Sequence, residues 1–179
     1  MTENQRLPLH QFHIDHGAKM VPFAGYDMPV QYSAGVMAEH AHTRAAAGLF
    51  DVSHMGQVVL RGADYATLAA ALETLVPVDV VGLAQGRQRY ALFTTPQGGI
   101  SDDLMFANRG DHIFMVVNAA CKAADLAHMQ AHLAPMGVSV ELLQTRALLA
   151  LQGPRARHPS GAFSEWPSPN RPRSGWLGW

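Results

Sequence analysis

The chain has 179 residues, of which 48% are hydrophobic and 15% are charged. This is enough for one ordinary domain with a buried core, and it argues against general disorder. The formal net charge is −1, so no basic excess exists to hold a polyanion and no nucleic-acid partner is expected. The single cysteine, Cys121, excludes an intrachain disulfide and a thiolate-rich metal site. No apolar run is long enough to predict a membrane-spanning helix.

The beginning of the chain resembles neither a signal peptide nor a transit peptide. It carries Glu3 and has no apolar segment before Leu7, whereas secretory signals need an apolar stretch and transit peptides avoid acidic residues. A cytoplasmic location is therefore expected. The single cysteine agrees with this expectation, because a reducing compartment has little use for disulfides.

The composition changes abruptly near Pro154. All three tryptophans lie in the last 14 residues, and from Arg155 onward Leu177 is the only aliphatic residue larger than alanine. Neither helical nor strand periodicity is visible there, so residues 155–179 are predicted to be a disordered tail after a domain at 1–154. A proline-rich recognition tail is one alternative, and a shift of the reading frame is another.

The first part of the chain alternates helices with short strands. Four segments have the spacing of regular structure, namely a helix at 8–17, a strand at 20–23, a helix at 35–47 and a strand at 57–60. Gly48 is predicted to terminate the second helix as its C′ residue. Asp64 is predicted to cap a further helix. The apolar face of that helix comprises Tyr65, Leu68, Leu72 and Leu75.

The second part of the chain is dominated by strands. Turn residues at 96–99 and 108–111 separate three strands, at 89–94, 102–107 and 112–118, which predicts an antiparallel meander. A helix at 121–133 follows, with Leu126, Met129 and Leu133 on one face. Alternation predicts a strand at 138–142, and the apolar run 147–151 predicts a buried strand. The fold class is therefore α+β, an antiparallel sheet with helices on one face.

Asp102 and Asp103 are the most informative polar pair. Adjacent residues of a strand point to opposite faces, so one carboxylate should face solvent while the other points to the covered side or a cavity. An inward carboxylate needs a partner, a ligand or a shifted pKa. The residue pattern alone favours a simpler interpretation, in which both aspartates complete a hairpin turn.

Asn118 ends the third strand of the meander. Its amide has both a donor and an acceptor, so it could recognise the edge of a heterocycle. A second interpretation has equal weight on the sequence alone, namely that Asn118 caps the following helix.

Two histidine-containing motifs are weak candidates. Residues 51–54 place Asp, Ser and His close together, but a hydrolase triad is defined by geometry, and a tight loop between strands is the better interpretation. His10, His13 and His16 recur at every third position of one helix. Side chains at this spacing point in progressively different directions around the helix and do not converge on one metal ion, so no metal site is predicted.

An ordered set of motifs resembles a known family. The opening stretch runs from Gly17 to Tyr32, with Gly-Ala-Lys-Met-Val-Pro-Phe-Ala-Gly at its start, and the others follow in the same order and spacing through residues 7–154. They include His42-Thr43-Arg44, the segments 49–55 and 92–94, Gly98-Gly99-Ile100-Ser101-Asp102-Asp103-Leu104, 117–119 and 149–154. This set resembles the aminomethyltransferases, the T proteins of the glycine cleavage system. Tyr26 stands where the family usually has tryptophan.

The resemblance implies a folate enzyme. Its fold would be the folate-binding domain of the T-protein type, and its partners would be tetrahydrofolate and the lipoylated H protein. A T protein receives the aminomethyl group carried on the lipoyl arm of the H protein. It releases ammonia and passes the one-carbon unit to tetrahydrofolate, which gives 5,10-methylenetetrahydrofolate.

The resemblance also implies the site residues. Asp103 matches the family's key acid, which is set against the pterin nitrogens and would orient the folate and manage charge during attack. Met55, Tyr90, Val116 and Asn118 match positions that line the folate pocket. The resemblance thus favours a functional interpretation for both Asp103 and Asn118.

Family members are much longer and have three domains, so the resemblance implies a truncated member that binds folate weakly or not at all and does not turn over. Two rival functions remain on the sequence alone. One is a non-catalytic folate-binding or protein-binding module. The other is a folate-dependent domain of a tRNA-modifying, repair or dimethylglycine-oxidising or sarcosine-oxidising protein.

Overall fold

The structure, a computed structural model, describes residues 3–156. Apart from residues 155 and 156, the predicted tail lies outside the described residues. The elements in chain order are β1 (Gln5–Arg6), α1 (His10–Asp15), β2 (Lys19–Phe23), β3 (Tyr26–Gln31), α2 (Val36–Ala45), β4 (Gly48–Asp51), β5 (Gly56–Arg61), α3 (Tyr65–Glu73), β6 (Gln88–Thr94), β7 (Ile100–Asn108), β8 (Ile113–Val117), α4 (Lys122–Leu133), a 3₁₀ helix (Ala134–Met136), β9 (Ser139–Leu142) and β10 (Leu149–Gln152). The α+β class is confirmed.

The chain divides into two compact units. The first comprises the residues up to Ser53 together with those from Ala147, and the second runs from His54 to Arg146. Within the described residues, no helix is both long enough and apolar enough to cross a membrane.

The first unit contains two small sheets. One has the order β1–β3–β2, in which β1 is parallel to β3 and β2 is antiparallel to it. The other pairs β4 with β10, antiparallel. The sequence did not predict β1 or β3 and gave no bounds for β4, because each is short and depends on a partner strand rather than on its own apolar pattern.

The predicted role of Gly48 is wrong. Helix α2 ends at Ala45, and Gly48 begins β4, where it pairs with Gln152. A Cβ atom at Gly48 would lie 2.5 Å from the Thr43 hydroxyl, so glycine permits close approach rather than helix termination.

The predicted burial of the final strand is also only half right. Leu149 is 49% exposed and Ala150 is 7% exposed, since β10 belongs to a two-stranded sheet.

The second unit is built on a five-stranded antiparallel sheet with the order β6–β7–β8–β5–β9. The predicted meander is confirmed as β6, β7 and β8. Asp64 caps α3 as predicted, with its carboxylate accepting from the Thr67 N–H at 2.7 Å. The hydrophobic core is formed by one face of the sheet together with α3 and α4, and its fully buried members include Leu60, Leu72, Phe93, Phe106, Met115, Met129 and Leu133.

The apolar face predicted for α4 needs one correction. Met129 and Leu133 are fully buried, but Leu126 is only half-buried. The third residue of the buried stripe is Asp125, 4% exposed, which lies one helical turn before Met129. The sequence therefore predicted the helix but not the acid on its buried face.

Gly153 provides a test of the first unit. Its φ is +118°, and an added Cβ would lie 2.5 Å from the Thr43 carbonyl oxygen and 2.6 Å from that of Ala46. Backbone oxygens cannot rotate away, so Gly153→Ala is expected to lower the free energy of unfolding by about 2–3 kcal/mol in urea denaturation. Gly137→Ala is the control, because Gly137 also has positive φ but no heavy atom lies within 4 Å of its added Cβ. Equal losses for both variants would contradict the steric argument.

Candidate functional site

The acidic pair lies inside a strand rather than in a turn. Asp102 pairs with Phe93 and Asp103 with Leu92 in the β6–β7 ladder. The turn itself is closed earlier, where the Thr95 N–H donates to the Gly99 carbonyl at 2.8 Å. The interpretation of both aspartates as turn residues is therefore wrong, because the strand begins at Ile100, before the pair.

The two aspartates point to opposite faces of the sheet. Leu104 and Phe106 belong to the core beneath the helices, so strand alternation places Asp102 on that same face and Asp103 on the other. Asp102 is half-buried and Asp103 is exposed. The acid that the family resemblance singles out is thus the accessible one.

A row of side chains crosses the sheet beside Asp103. Tyr90 pairs with Met105, and Met105 pairs with Val116 on the next strand. Tyr90 is 62% exposed, whereas Met105 and Val116 are 8% and 3% exposed. The structure therefore brings Tyr90 and Val116 onto the face that carries Asp103, with Met105 between them. Met105 was not predicted, although it lies two residues from Asp103 and strand alternation alone could have indicated it.

Asn118 is held by the acidic pair. Its Nδ2 donates at 3.0 Å to Asp102 Oδ1, to Asp103 Oδ1 and to the Asp103 carbonyl. The interpretation of Asn118 as a helix cap is wrong, since Cys121 occupies that position and makes no side-chain cap bond. Two amide protons are shared among three oxygens, so the Asn118 side chain is fixed on the acids.

Met55 lies at the same end of the sheet. It directly precedes Gly56, which pairs with Val117 in the β5–β8 ladder, so Met55 and Asn118 adjoin the same pair of neighbouring strand ends. Met55 is half-buried. An added Cβ at Gly56 would lie 2.6 Å from a Val117 methyl group, so glycine is needed where these strands meet.

The helix side of this corner is strongly acidic. Burial, the hydrogen bond to Asp102 and the charge of Asp102 together raise the pKa of Asp125 to about 7. Partial desolvation and the charges of Asp102, Asp125 and Asp103 raise the pKa of the Cys121 thiol. A raised thiol pKa disfavours the thiolate, so Cys121 is not suited to act as a nucleophile.

The histidine-containing motifs of the first unit form a structural network. His13 is buried, and its Nε2 lies 2.8 Å from Asp51 Oδ2 while its Nδ1 lies 2.7 Å from the Tyr32 hydroxyl. The Ser53 hydroxyl donates to Asp51 rather than to a histidine, so the relay of a hydrolase triad is not formed by these residues. Residues 52–55 form the loop between β4 and β5, as predicted. Within residues 3–156, no three His, Cys, Asp or Glu side chains are grouped so that they could hold a metal ion.

The exposed face of the second unit has a definite chemical character. An accessible carboxylate, Asp103, and the exposed ring of Tyr90 lie on the same face as the buried apolar side chains of Met105 and Val116. A carboxylate accepts hydrogen bonds from N–H groups, and an aromatic ring packs against a flat heterocycle. The arrangement therefore suits a planar, nitrogen-rich ligand whose protons need an acceptor.

Comparison with known proteins identifies the family. Residues 9–165 match the GCVT N-terminal domain family. The chain belongs to this family. The match continues beyond Pro154, where the motifs that carried the resemblance end.

Relatives and a solved structure agree with the family assignment. The mitochondrial aminomethyltransferase of Dictyostelium discoideum is 43% identical over 160 residues, which cover 86% of this chain and 39% of that protein. The aminomethyltransferase of Rubrobacter xylanophilus is 46% identical over 153 residues, covering 85% and 40%. The crystal structure of the glycine cleavage system aminomethyltransferase T from Bartonella henselae superposes with a TM-score of 0.79 at 39% identity, covering 85% of this chain and 41% of that one. The chain thus spans about two fifths of the length of these family members.

Proposed function

We propose that this chain supplies the folate-binding face of an aminomethyltransferase of the glycine cleavage system. In the proposed reaction, two nitrogens of tetrahydrofolate bond to the carbon of an aminomethyl group held on the lipoyl arm of the H protein. The carbon–nitrogen bond to the amine and the carbon–sulfur bond to the lipoyl arm break. The two folate N–H protons end on the ammonia and on the lipoyl sulfur, and 5,10-methylenetetrahydrofolate is formed.

The observation that carries the proposal is the accessible carboxylate of Asp103 on the sheet face shared with Tyr90, Met105 and Val116. Folate has a flat, nitrogen-rich ring system, which matches the acceptor and the apolar surface on this face. The names of the relatives support the transfer of an aminomethyl group, and tetrahydrofolate as the acceptor comes from the family resemblance. The reaction and its partners are assigned by this likeness.

Each site residue has a distinct proposed task. Asp103 accepts N–H groups of the folate and stabilises positive charge as the nitrogen attacks the carbon. Asn118 holds the Asp103 carboxylate in place through its Nδ2 bonds. Tyr90 and Met55 contact the rings, and the buried Val116 forms the apolar floor beneath them, so that water is excluded from one side.

Equilibrium binding of tetrahydrofolate tests the assignment of Asp103. Asp103→Ala is expected to raise the Kd about 10–100-fold, because a hydrogen bond to a charged acceptor contributes about 1.5–3 kcal/mol. Asp103→Asn removes the charge but keeps the shape of the side chain, and it should weaken folate binding nearly as much as Asp103→Ala. Glu141→Gln is the matched control, since Glu141 is an exposed carboxylate on β9 outside the proposed site. If Asp103→Ala binds as tightly as the unchanged chain, the assignment fails.

A non-catalytic folate-binding module is the second candidate, and the span of two fifths of the relatives' length favours keeping it. Ammonia release distinguishes the two when this domain, within a protein of the relatives' full length, is mixed with aminomethylated H protein and tetrahydrofolate. Release that Asp103→Ala abolishes would support the transferase. Folate binding without ammonia release would support the module.

A further inference from the structure

Asp125 is a buried acid in the first turn of α4. It lies on the stripe of α4 that packs against the core with Met129 and Leu133, and it is 4% exposed. An ionised carboxylate at such a position costs several kcal/mol unless it is paired, so burial selects the protonated form. Besides burial, the neighbouring acid Asp102 acts on it and raises its pKa.

Asp102 and Asp125 lie close enough to interact, and a proton on one of the two carboxyl groups is what can bridge them. Within the described residues, neither Asp102 Oδ2 nor Asp125 Oδ2 receives a proton from an N–H or hydroxyl donor. Two ionised carboxylates would only accept and would repel one another. One of them must therefore carry the proton, and Asp125 is the one with the pKa raised to about 7.

The pair is connected to the exposed face through Asn118. Asp102 accepts from Asn118 Nδ2 with its Oδ1, and the same Nδ2 donates to Asp103. Asn118 thus links Asp102 to the acid of the proposed folate site, and a proton on Asp125 would extend this series to the buried face of α4. We propose that Asp125 is a positioning residue, whose proton fixes Asp102 and, through Asn118, the carboxylate of Asp103.

This inference rests on the proposed function of Asp103, and it adds a pH dependence. Above about pH 7 the Asp125 proton dissociates, the two carboxylates repel, and the support for Asn118 is lost. If folate binds only when the proton is present, its Kd should rise about tenfold one pH unit above the Asp125 pKa.

Other titratable groups could also make folate binding depend on pH, and variants of them test this. They are Cys121 and Lys122 at the start of α4, His128 one turn after Asp125, and Asp103 beside Asp102. Strand β9, which packs against α4, carries the exposed Glu141. Burial and the neighbouring His132 lower the pKa of His128, which moves its titration away from the upper window. His128→Gln and Glu141→Gln should therefore keep the pH profile of the unchanged chain.

The experiment measures tetrahydrofolate binding between pH 6 and pH 8.5. The unchanged chain should lose affinity about tenfold between pH 6 and pH 8, whereas Asp125→Asn, whose amide donates permanently to Asp102, should bind with a flat profile. Asp125→Ala lacks any donor and should bind weakly throughout, and circular dichroism will show whether it remains folded. A flat profile for the unchanged chain, or an unaltered pH profile in Asp125→Asn, would overturn the proposal.

A second measurement does not depend on folate. Carbon-13 NMR of the Asp125 carboxyl should show a midpoint near pH 7, and the side-chain amide resonance of Asn118 should shift with the same midpoint. A midpoint near 4 or an Asn118 resonance that ignores it would overturn the proposal. If the unchanged chain binds no folate at any pH, the proposed function fails, and the NMR result still decides the positioning link.

Discussion

Replacing His13 with leucine is expected to destabilise the chain by about 3–5 kcal/mol, since it leaves a buried charge without its partner. The side chains of His13 and Asp51 are 5% and 1% exposed, and they meet at 2.8 Å. Asp51 Oδ1 keeps its bonds from Ser53, but Oδ2 loses its donor and cannot reach water. Urea denaturation followed by circular dichroism measures the loss.

Tyr32→Phe is the matched control. It removes one hydroxyl from the other ring nitrogen of His13 and should cost only about 1 kcal/mol. Burial and the charges of Asp51 and Glu39 raise the pKa of Tyr32, so the phenol stays protonated and no new charge is involved. The double variant His13→Leu with Asp51→Asn removes the orphaned charge and should recover part of the stability. A His13→Leu loss no larger than that of Tyr32→Phe would show that the pair contributes little.

Phe93→Ala should also cost about 3–5 kcal/mol, through the cavity that it leaves. Phe93 is 1% exposed on the helix face of β6, and its ring meets that of His128 edge-on with centroids 5.2 Å apart. Helix α4 would lose a major contact with the sheet. The measurement is again the free energy of unfolding in urea.

Tyr90→Ala is the comparison for Phe93→Ala, because it removes an aromatic ring from the opposite face of the same strand. Tyr90 is 62% exposed, so its removal should change stability by less than about 1 kcal/mol while weakening tetrahydrofolate binding. A large stability loss in Tyr90→Ala, or unchanged folate affinity, would show that the two faces of β6 do not divide core and site in this way.

The sequence predicts elements whose patterns are local. Alternation and turn residues are enough for the meander from β6 to β8, and the Asp64 cap is visible because its donor lies three residues away. The same alternation places Asp102 and Asp103 on opposite faces. It could not say which face the helices cover, because that depends on contacts from distant segments.

The sequence misses what depends on distant partners. His13 appears as one member of a histidine triplet, whereas its partner Asp51 lies 38 positions away. Asp125 appears as an ordinary polar residue of a helix, and only the acid across the core at Asp102 reveals its importance. The short strands β1, β3 and β4 form because a partner strand supplies the hydrogen bonds that their own sequences do not demand.

The interleaving of the two units bears on the order of folding. The first unit needs β4 and β10, which flank the whole second unit, and Ser53 contacts Leu148 across 95 positions. Closing such a long loop from an unfolded chain is entropically costly and slow. The second unit ties its own ends together, since the Gln57 amide donates to the Arg146 carbonyl at 2.9 Å. Folding of that unit would shorten the effective loop between β4 and β10. Nascent chains should therefore form the five-stranded sheet of the second unit before β4 pairs with β10.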